Sequence, residues 1–363
     1  MQKKQYLCSL IMVTTDLHAE LDRLSVSYGA DRMVVLVAAS VAPVWQKFFR
    51  DRFRILVLAD GEENKSLDTL QRVWDFLFEA DITRSGLLLC VGGGTVTDLG
   101  GLAAATYKRG IHYINIPTTL LAMVDAAVGG KTGINYRGLK NAIGAFYPPV
   151  ETIVWPEWLS TLPAEQLLSG FAEMLKTGLL ADGQKIPQAE GLWQRLMQYD
   201  MERMDPAELT PLIADCIAVK QYIVTADPSE TGLRKTLNLG HTFGHALEET
   251  AFAETKNGAQ TGLLHGYAVL YGLIAELYLS HTLLGCEREA LQQLTQRMIH
   301  YYGRPACKCT DRERIIRLMH QDKKNERATE INCTLLRSTG HPVINQIITD
   351  AQADEALEYL FSL

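Results

Sequence analysis

The sequence predicts an α/β protein: an N-terminal parallel-sheet domain over residues 1–157, then a mostly helical domain over 158–363. Three observations predict it. Short apolar runs rich in valine and leucine alternate with helix-like segments in the first 150 residues. After about residue 155 the segments lengthen and take the helical period. The 363 residues also exceed what one small core organises, so about two domains are expected.

KQYLCSLIMV at 4–13 reads as a strand, and MVVLVAAS at 33–40 and RFRILVLA at 52–59 as buried parallel strands. SLDTLQRVWDFLFEA at 66–80 has helical periodicity, with Leu67, Leu70, Val73, Trp74, Phe76 and Leu77 as its apolar face and Ser66 as its cap. GLLLCV at 86–91 is a further strand and runs into GGGTVTDLGG; a helix through LAAATYKR and a strand at IHYINIP follow. Strand, helix and strand in repetition make a parallel sheet. VETIVWPEWLSTLP is the crossing to the second domain, punctuated by Pro156 and Pro163. EQLLSGFAEMLKTGLLA, LTPLIADCIAVKQYIVTA and residues 266–284 read as its helices, and the polar AETKNGAQTG at 253–262 as an exposed loop.

Hydrophobic residues make up 47% and charged residues 21%, which is ordinary for a globular protein. A net charge of -7 leaves no basic footprint for nucleic acid, although a local lysine and arginine cluster could still hold a small anion. The seven cysteines (Cys8, Cys90, Cys216, Cys286, Cys307, Cys309 and Cys333) are odd in number and irregularly spaced, against a disulfide framework. The N-terminus has no long apolar region or cleavage site, and no uninterrupted apolar stretch reaches about 18 residues. A reduced, cytoplasmic protein without a membrane partner is expected.

Four motifs carry candidate chemistry. CVGGGTVTD at 90–98 places three glycines between a strand and a helix, where backbone and helix N-terminus can cradle a pyrophosphate; it is not the GxGxxG fingerprint. IPTTLLAMVDAAVGGKTGIN at 116–135, followed by GLKNAIGAFYPP, offers Thr118, Thr119, Lys131 and Lys140 to phosphate oxygens and Asp125 to hydroxyls. In GFAEMLKTG, Glu173 and Lys176 lie three apart on one helix face, the spacing of an ordinary ion pair. In RKTLNLGHTFGHALEE, His241 and His245 are four apart on one helix. With His265 of LLHG and a carboxylate from elsewhere, Glu173 being the candidate, they suggest a metal site of zinc type. The competing reading is structural histidines.

In order and in spacing, these motifs resemble the 3-dehydroquinate synthase family of sugar-phosphate cyclases, from about residue 60 to 340. The resemblance rests on DGEENKSLDT, GGGTVTDLGGLAAATYKRG, IPTTLLAMVDAAVGGKTGIN, KNAIGAFY, GFAEMLKTG, GLRKTLNLGHTFGHALE and LLHG. It implies NAD as cofactor, a divalent metal (zinc, or cobalt) and a homodimer. Asp60, Glu62 and Lys65 match the region at the adenosine end, and Gly94, Thr95, Val96, Thr97 and Asp98 the pyrophosphate and ribose cradle. Thr118, Thr119, Lys131 and Lys140, together with Trp158, Leu159, Ser160 and Thr161, match further dinucleotide contacts. Glu173, His241 and His265 match the metal ligands, which moves His245 from ligand to acid/base work. Glu230 matches a proton acceptor. Lys176, Lys220, Arg234, Asn238, Asp125, Lys131 and Asn141 match substrate contacts, with Lys323 or Lys324 near the phosphate. Arg109 matches an arginine that reaches the phosphate from a neighbouring subunit.

The implied reaction converts 3-deoxy-D-arabino-heptulosonate 7-phosphate to 3-dehydroquinate and phosphate, a step of aromatic amino-acid biosynthesis by the shikimate route. It proceeds by transient oxidation, phosphate elimination, re-reduction and intramolecular aldol closure. Three departures from the family pattern stand out: Thr97 before the cradle aspartate, DAAVGGK in place of DSSVGGK, and Tyr267 after the His-Gly pair, where it would alter the surroundings of His265. The competing readings are a valiolone-type cyclase and a metal-dependent polyol dehydrogenase; the latter would accumulate NADH.

Overall fold

The computed structural model describes residues 9–49, 52–137, 139–181, 186, 189–256, 262–305, 311–322, 325, 327 and 329–363. The chain divides into two compact units, Met1–Leu162 with Asp205–Ile217, and Pro163–Met204 with Ala218–Leu363.

The first unit is built on a six-stranded parallel sheet. Its strands are β1 (Leu10–Val13), β2 (Met33–Ala38), β3 (Arg54–Leu58), β4 (Leu87–Gly92), β5 (His112–Pro117) and β8 (Glu151–Val154), in the order β1-β8-β5-β4-β2-β3. Every residue of β2 and β4 is buried, as their unbroken apolar sequences require. The segment expected as a third buried strand, β3, is at the sheet edge instead, with Arg54 and Val57 exposed. Helices α1 (Leu17–Tyr28), α2 (Ala42–Phe49), α3 (Leu67–Glu79) and α4 (Gly94–Thr106) connect the strands. Ser66 caps α3 by accepting the amide of Thr69, and Leu70, Val73 and Leu77 enter the core. Leu67, assigned to the same apolar face, is 48% exposed at the helix start.

One element of this unit is not visible as a strand pattern. β6 (Lys131–Tyr136) and β7 (Leu139–Phe146) form an antiparallel hairpin out of the glycine- and lysine-rich motif. Neither strand alternates, since β7 is exposed along most of its length and β6 buries three residues in a row; glycine brings the two strands together, as a Cβ on Gly144 would run into the Thr132 carbonyl oxygen.

The second unit is mostly helical. α5 (Ala164–Ala181), α6 (Leu192–Gln198), α8 (His241–Lys256), α9 (His265–Leu284), α10 (Glu289–Arg297), α11 (Arg312–His320) and α12 (Asp350–Ser362) are joined by a hairpin of β9 (Ile331–Ser338) and β10 (His341–Ile348). The boundary between the units falls inside α7 (Pro206–Ala226). α7 and α9 are long and apolar enough to cross a bilayer. In α9 this reflects its place in the core, since nearly every residue from Gly266 to Ser280 is buried. The stretch expected as a loop at 253–262 is helical as far as Lys256, where α8 ends; residues 257–261 lie outside the described set.

Candidate functional site

In the first unit, the turn from β4 into α4 and the end of β5 come together. The Thr118 amide donates to the Gly92 carbonyl. A Cβ on Gly93 would lie 3.2 Å from Thr119 Cγ2, a tight contact that shows how closely the two segments approach. Thr119 Oγ1 accepts the Ala122 amide at the start of the π-helical turn Ala122–Ala126, which carries Asp125. Val96 and Thr97 turn their side chains inward: Val96 is in the core, and the Thr97 hydroxyl bonds the Gly94 carbonyl. Backbone at the helix N-terminus, rather than side chains, is what this turn offers an anion.

Beside it, the buried Lys65 places Nζ 2.6 Å from Asp98 Oδ2. The carboxylate of Glu62 accepts from Thr95 Oγ1 at 3.4 Å and from Asn135 Nδ2 at 2.9 Å. The 60s loop, the cradle and the β6 strand are thus tied into one network. Asp60 is engaged by the backbone and hydroxyl of Ser40. Lys131, Lys140 and Asn141 are exposed on the hairpin, and Asn141 has a left-handed φ of 51°. Arg109 is exposed on a turn in which it and Lys108 both have positive φ. Trp158 and Leu159 are buried, and the hydroxyls of Ser160 and Thr161 bond carbonyls of their own turn.

In the second unit, three helices bring Glu173 (α5), His241 (α8) and His265 (α9) to one point, their ligand atoms all within 4.8 Å of one another. Glu173 Oε1 lies 3.6 Å from His241 Nε2 and 3.4 Å from His265 Nε2. That oxygen is buried and lacks a hydrogen bond within normal geometry among the described residues. His241 Nδ1 faces the Leu239 carbonyl at 3.1 Å, and His265 Nδ1 faces the Glu248 carboxylate at 3.3 Å. Both partners only accept, so Nδ1 carries the proton and both Nε2 atoms turn toward Glu173. Two imidazole nitrogens and a carboxylate oxygen, each held from behind, fit a divalent metal of zinc type.

The charges around this point are strongly coupled. Burial by itself would raise the Glu173 carboxyl, but Lys176 and His265 hold it well below the usual carboxylate range. Burial opposes charge on His265, yet Glu248 and Glu173 outweigh it and push its pKa up to about 10. In the metal-free protein a proton therefore takes the place of the cation.

His245 is as near to His241 as His265 is, but it is not part of the group of converging ligand atoms. Its ring centroid is 5.3 Å from that of His241, and its Nδ1 lies 3.1 Å from Asp322 Oδ2. A second carboxylate, Asp227, organises the neighbouring loop by accepting the amides of Thr231, Gly232 and Arg234. Those bonds keep its pKa low against the cost of burial. The loop holds Glu230 at a left-handed φ of 58°, with Asn238 Nδ2 3.5 Å from its Oε1. Arg234 and Lys220 are buried. Lys323 and Lys324 lie outside the described residues.

Sequence reasoning missed Glu248, Asp322 and Asp227. Glu248 was within reach, because 241, 245 and 248 share one helical face. Tyr267 packs edge-on against Tyr302, ring centroids 4.9 Å apart, and the group facing His265 Nδ1 is the Glu248 carboxylate.

The family model described as 3-dehydroquinate synthase N-terminal matches residues 55–169, and that described as 3-dehydroquinate synthase C-terminal matches residues 170–325. The 3-dehydroquinate synthase of Parabacteroides distasonis is 40% identical over 354 residues, 96% of this chain and 97% of that protein. Among solved structures, 2-epi-5-epi-valiolone synthase from Streptomyces hygroscopicus subsp. jinggangensis, with NAD+ and Zn2+ bound, is 27% identical with a TM-score of 0.77. The match covers 98% of this chain and 97% of that one. A 2-deoxy-scyllo-inosose synthase complexed with carbaglucose-6-phosphate, NAD+ and Co2+ shares the fold at 20% identity, TM-score 0.78, over 96% of each chain. Matched in both halves by one family's models, and nearly end to end by its Parabacteroides member, the chain belongs to the 3-dehydroquinate synthase family.

Proposed function

We propose that this chain is a 3-dehydroquinate synthase dependent on NAD and a divalent metal. It releases phosphate from 3-deoxy-D-arabino-heptulosonate 7-phosphate as a carbon–oxygen lyase. The reading rests on family membership, and the observation that carries it is the convergence of Glu173, His241 and His265 with Lys176 alongside. When bound, NAD+ supplies a reversible hydride acceptor and the metal, zinc or cobalt, a Lewis acid for substrate hydroxyls.

The chain's own residues do the rest. The turn at Gly94–Asp98 and the Lys65–Asp98–Glu62 network bind the dinucleotide, with Thr118, Thr119, Lys131 and Lys140 contributing. Lys176, Lys220 and Arg234 supply positive charge for the phosphate and carboxylate through charge-assisted hydrogen bonds. Arg109, Asp125, Lys131, Asn141 and Asn238 complete the substrate contacts. Asp322 keeps the proton of His245 on Nδ1, so Nε2 is the atom that takes up or delivers a proton. Glu230, in its left-handed turn, is the second acid/base group. A cytoplasmic homodimer is part of the same proposal; Cys90 and Cys286 are buried free thiols, which suits a reducing compartment.

The test supplies heptulosonate phosphate, NAD+ and Zn2+. Phosphate release without net NADH, abolished by a chelator and restored by metal, is the expected result. NADH accumulating in step with turnover would replace this reading with a dehydrogenase. Preference for a sedoheptulose phosphate would replace it with a valiolone-type cyclase.

A further inference from the structure

Helix α8 begins at His241 with no side chain of its own to cap it. The residues before it are Leu239 and Gly240, and Gly240 has a φ of 81°. A local cap at 240 is excluded on two counts. The backbone is left-handed there, and a Cβ would lie 2.8 Å from Leu273 Cδ2 and 3.0 Å from the Val269 carbonyl oxygen, both on α9. Yet this helix end is buried, where unmet amide donors are costly.

The cap comes from α9. Glu276, fully buried, accepts the Gly240 amide on Oε2 at 2.5 Å and the Thr242 amide on Oε1 at 3.2 Å. The two amides flank His241 in the chain, so the carboxylate fixes its backbone from both sides while the Leu239 carbonyl fixes its ring. Gly272, one turn before Glu276 on α9, admits the contact: a Cβ there would lie 1.9 Å from the Gly240 carbonyl oxygen. α9 also carries His265 at its first position. One helix therefore provides one metal ligand and the clamp on another.

We propose that Glu276 is a positioning residue of the metal centre, its carboxylate setting the placement of His241 and hence the affinity for a divalent cation. This rests on the metal-site reading of Glu173, His241 and His265. A carboxylate suits the task because it only accepts. A glutamine at 276 would turn an NH2 toward one of the two amides.

The experiment measures Zn2+ affinity by competition with a chromophoric chelator, and the visible spectrum of the Co2+-loaded protein. It compares wild type, E276A, E276Q, E173Q and a control, L360A, which opens the core of α12 far along the chain from the ligands. E276A is expected to bind Zn2+ about 10–100-fold more weakly with an altered Co2+ spectrum, and E276Q to fall between it and wild type. L360A is expected to lower Tm with affinity and spectrum unchanged. E276Q carries the comparison where E276A does not fold. Wild-type affinity and spectrum in the Glu276 variants, or equal weakening in L360A at a matched loss of Tm, overturns the proposal. Absence of stoichiometric Zn2+ in wild type, or indifference to E173Q, overturns the metal-site reading and this proposal with it.

Discussion

Nζ of Lys176 lies 2.5 Å from Oε2 of Glu173, one helical turn away on α5, and both side chains are sealed from solvent. The i,i+3 spacing admits an ordinary surface ion pair, but burial makes this pair something else. Each charge has lost its water and depends on the other. The lysine takes one oxygen of the carboxylate and leaves the other facing two histidines.

Replacing Lys176 by methionine should therefore separate stability from metal binding. Without metal, K176M leaves Glu173 with less compensation, at a cost of about 3 kcal/mol. With Zn2+ bound, the cation offsets much of that loss. The rise in Tm on adding Zn2+ should be larger in K176M than in wild type, while turnover falls about 100-fold from loss of the positive group. Calorimetry with and without metal checks this, and an equal Zn2+-induced rise in both proteins would contradict it.

The metal-free protein should lose stability toward alkaline pH. His265 is raised from 6.5 to about 10 by Glu248 and Glu173 against the effect of burial, so the folded state holds its proton more tightly than the unfolded state. That contribution is complete below about pH 6.5 and disappears as pH climbs toward about 10. Glu173 is shifted downward, so its contribution is present above about pH 4.5 and is lost in acid. Melting curves in chelator from pH 5 to 10 should show Tm declining above about pH 6.5. E248Q should flatten the decline, and an unchanged slope in E248Q would count against this origin.

In the first unit, D98N should weaken both folding and dinucleotide binding. Lys65 would keep its buried charge with Glu62, 3.9 Å away, as the anionic neighbour that remains. A loss of about 3 kcal/mol is expected from breaking one side of a buried pair. K65M/D98N removes the stranded charge, so it should recover most of the stability but not the affinity for NAD+. Paired unfolding and NAD+ titrations check this; recovery of both properties would mean that the network has no part in binding.

The sequence made some of this legible and hid the rest for physical reasons. Strands β2 and β4 are apolar throughout because both faces are covered, and α3 shows its period because one face meets the core. β3 looked equally buried because an edge strand can keep an apolar run while one side stays open. The β6–β7 hairpin left no alternating pattern because β7 is exposed along most of its length and β6 buries three residues in a row. At the candidate metal site, the family motifs named the three residues that the structure brings together, Glu173, His241 and His265, whereas the i,i+4 pair alone pointed to His245 as a ligand. Asp322 takes that ring, and a partner 77 residues away in sequence leaves no local signal.

The last expectation concerns Gly266, which follows His265 directly. A Cβ at this position would lie 1.8 Å from the Ser169 carbonyl oxygen on α5, one turn before Glu173, and the Gly266 amide already donates to the Ser169 hydroxyl. The obstacle is backbone, so no side chain can rotate to relieve it, and the helices bearing Glu173 and His265 must part. G266A should cost about 3 kcal/mol or more and weaken Zn2+ binding in proportion to the displacement. Gly285, just beyond the same helix, supplies the contrast. It has a φ of 71°, but a Cβ there would meet no atom within 4 Å, so G285A incurs only backbone strain, about 1 kcal/mol, and should leave Zn2+ affinity unchanged. Equal effects of the two variants on metal binding would show that α9 tolerates displacement from α5 and that the helix contact does not set the ligand geometry.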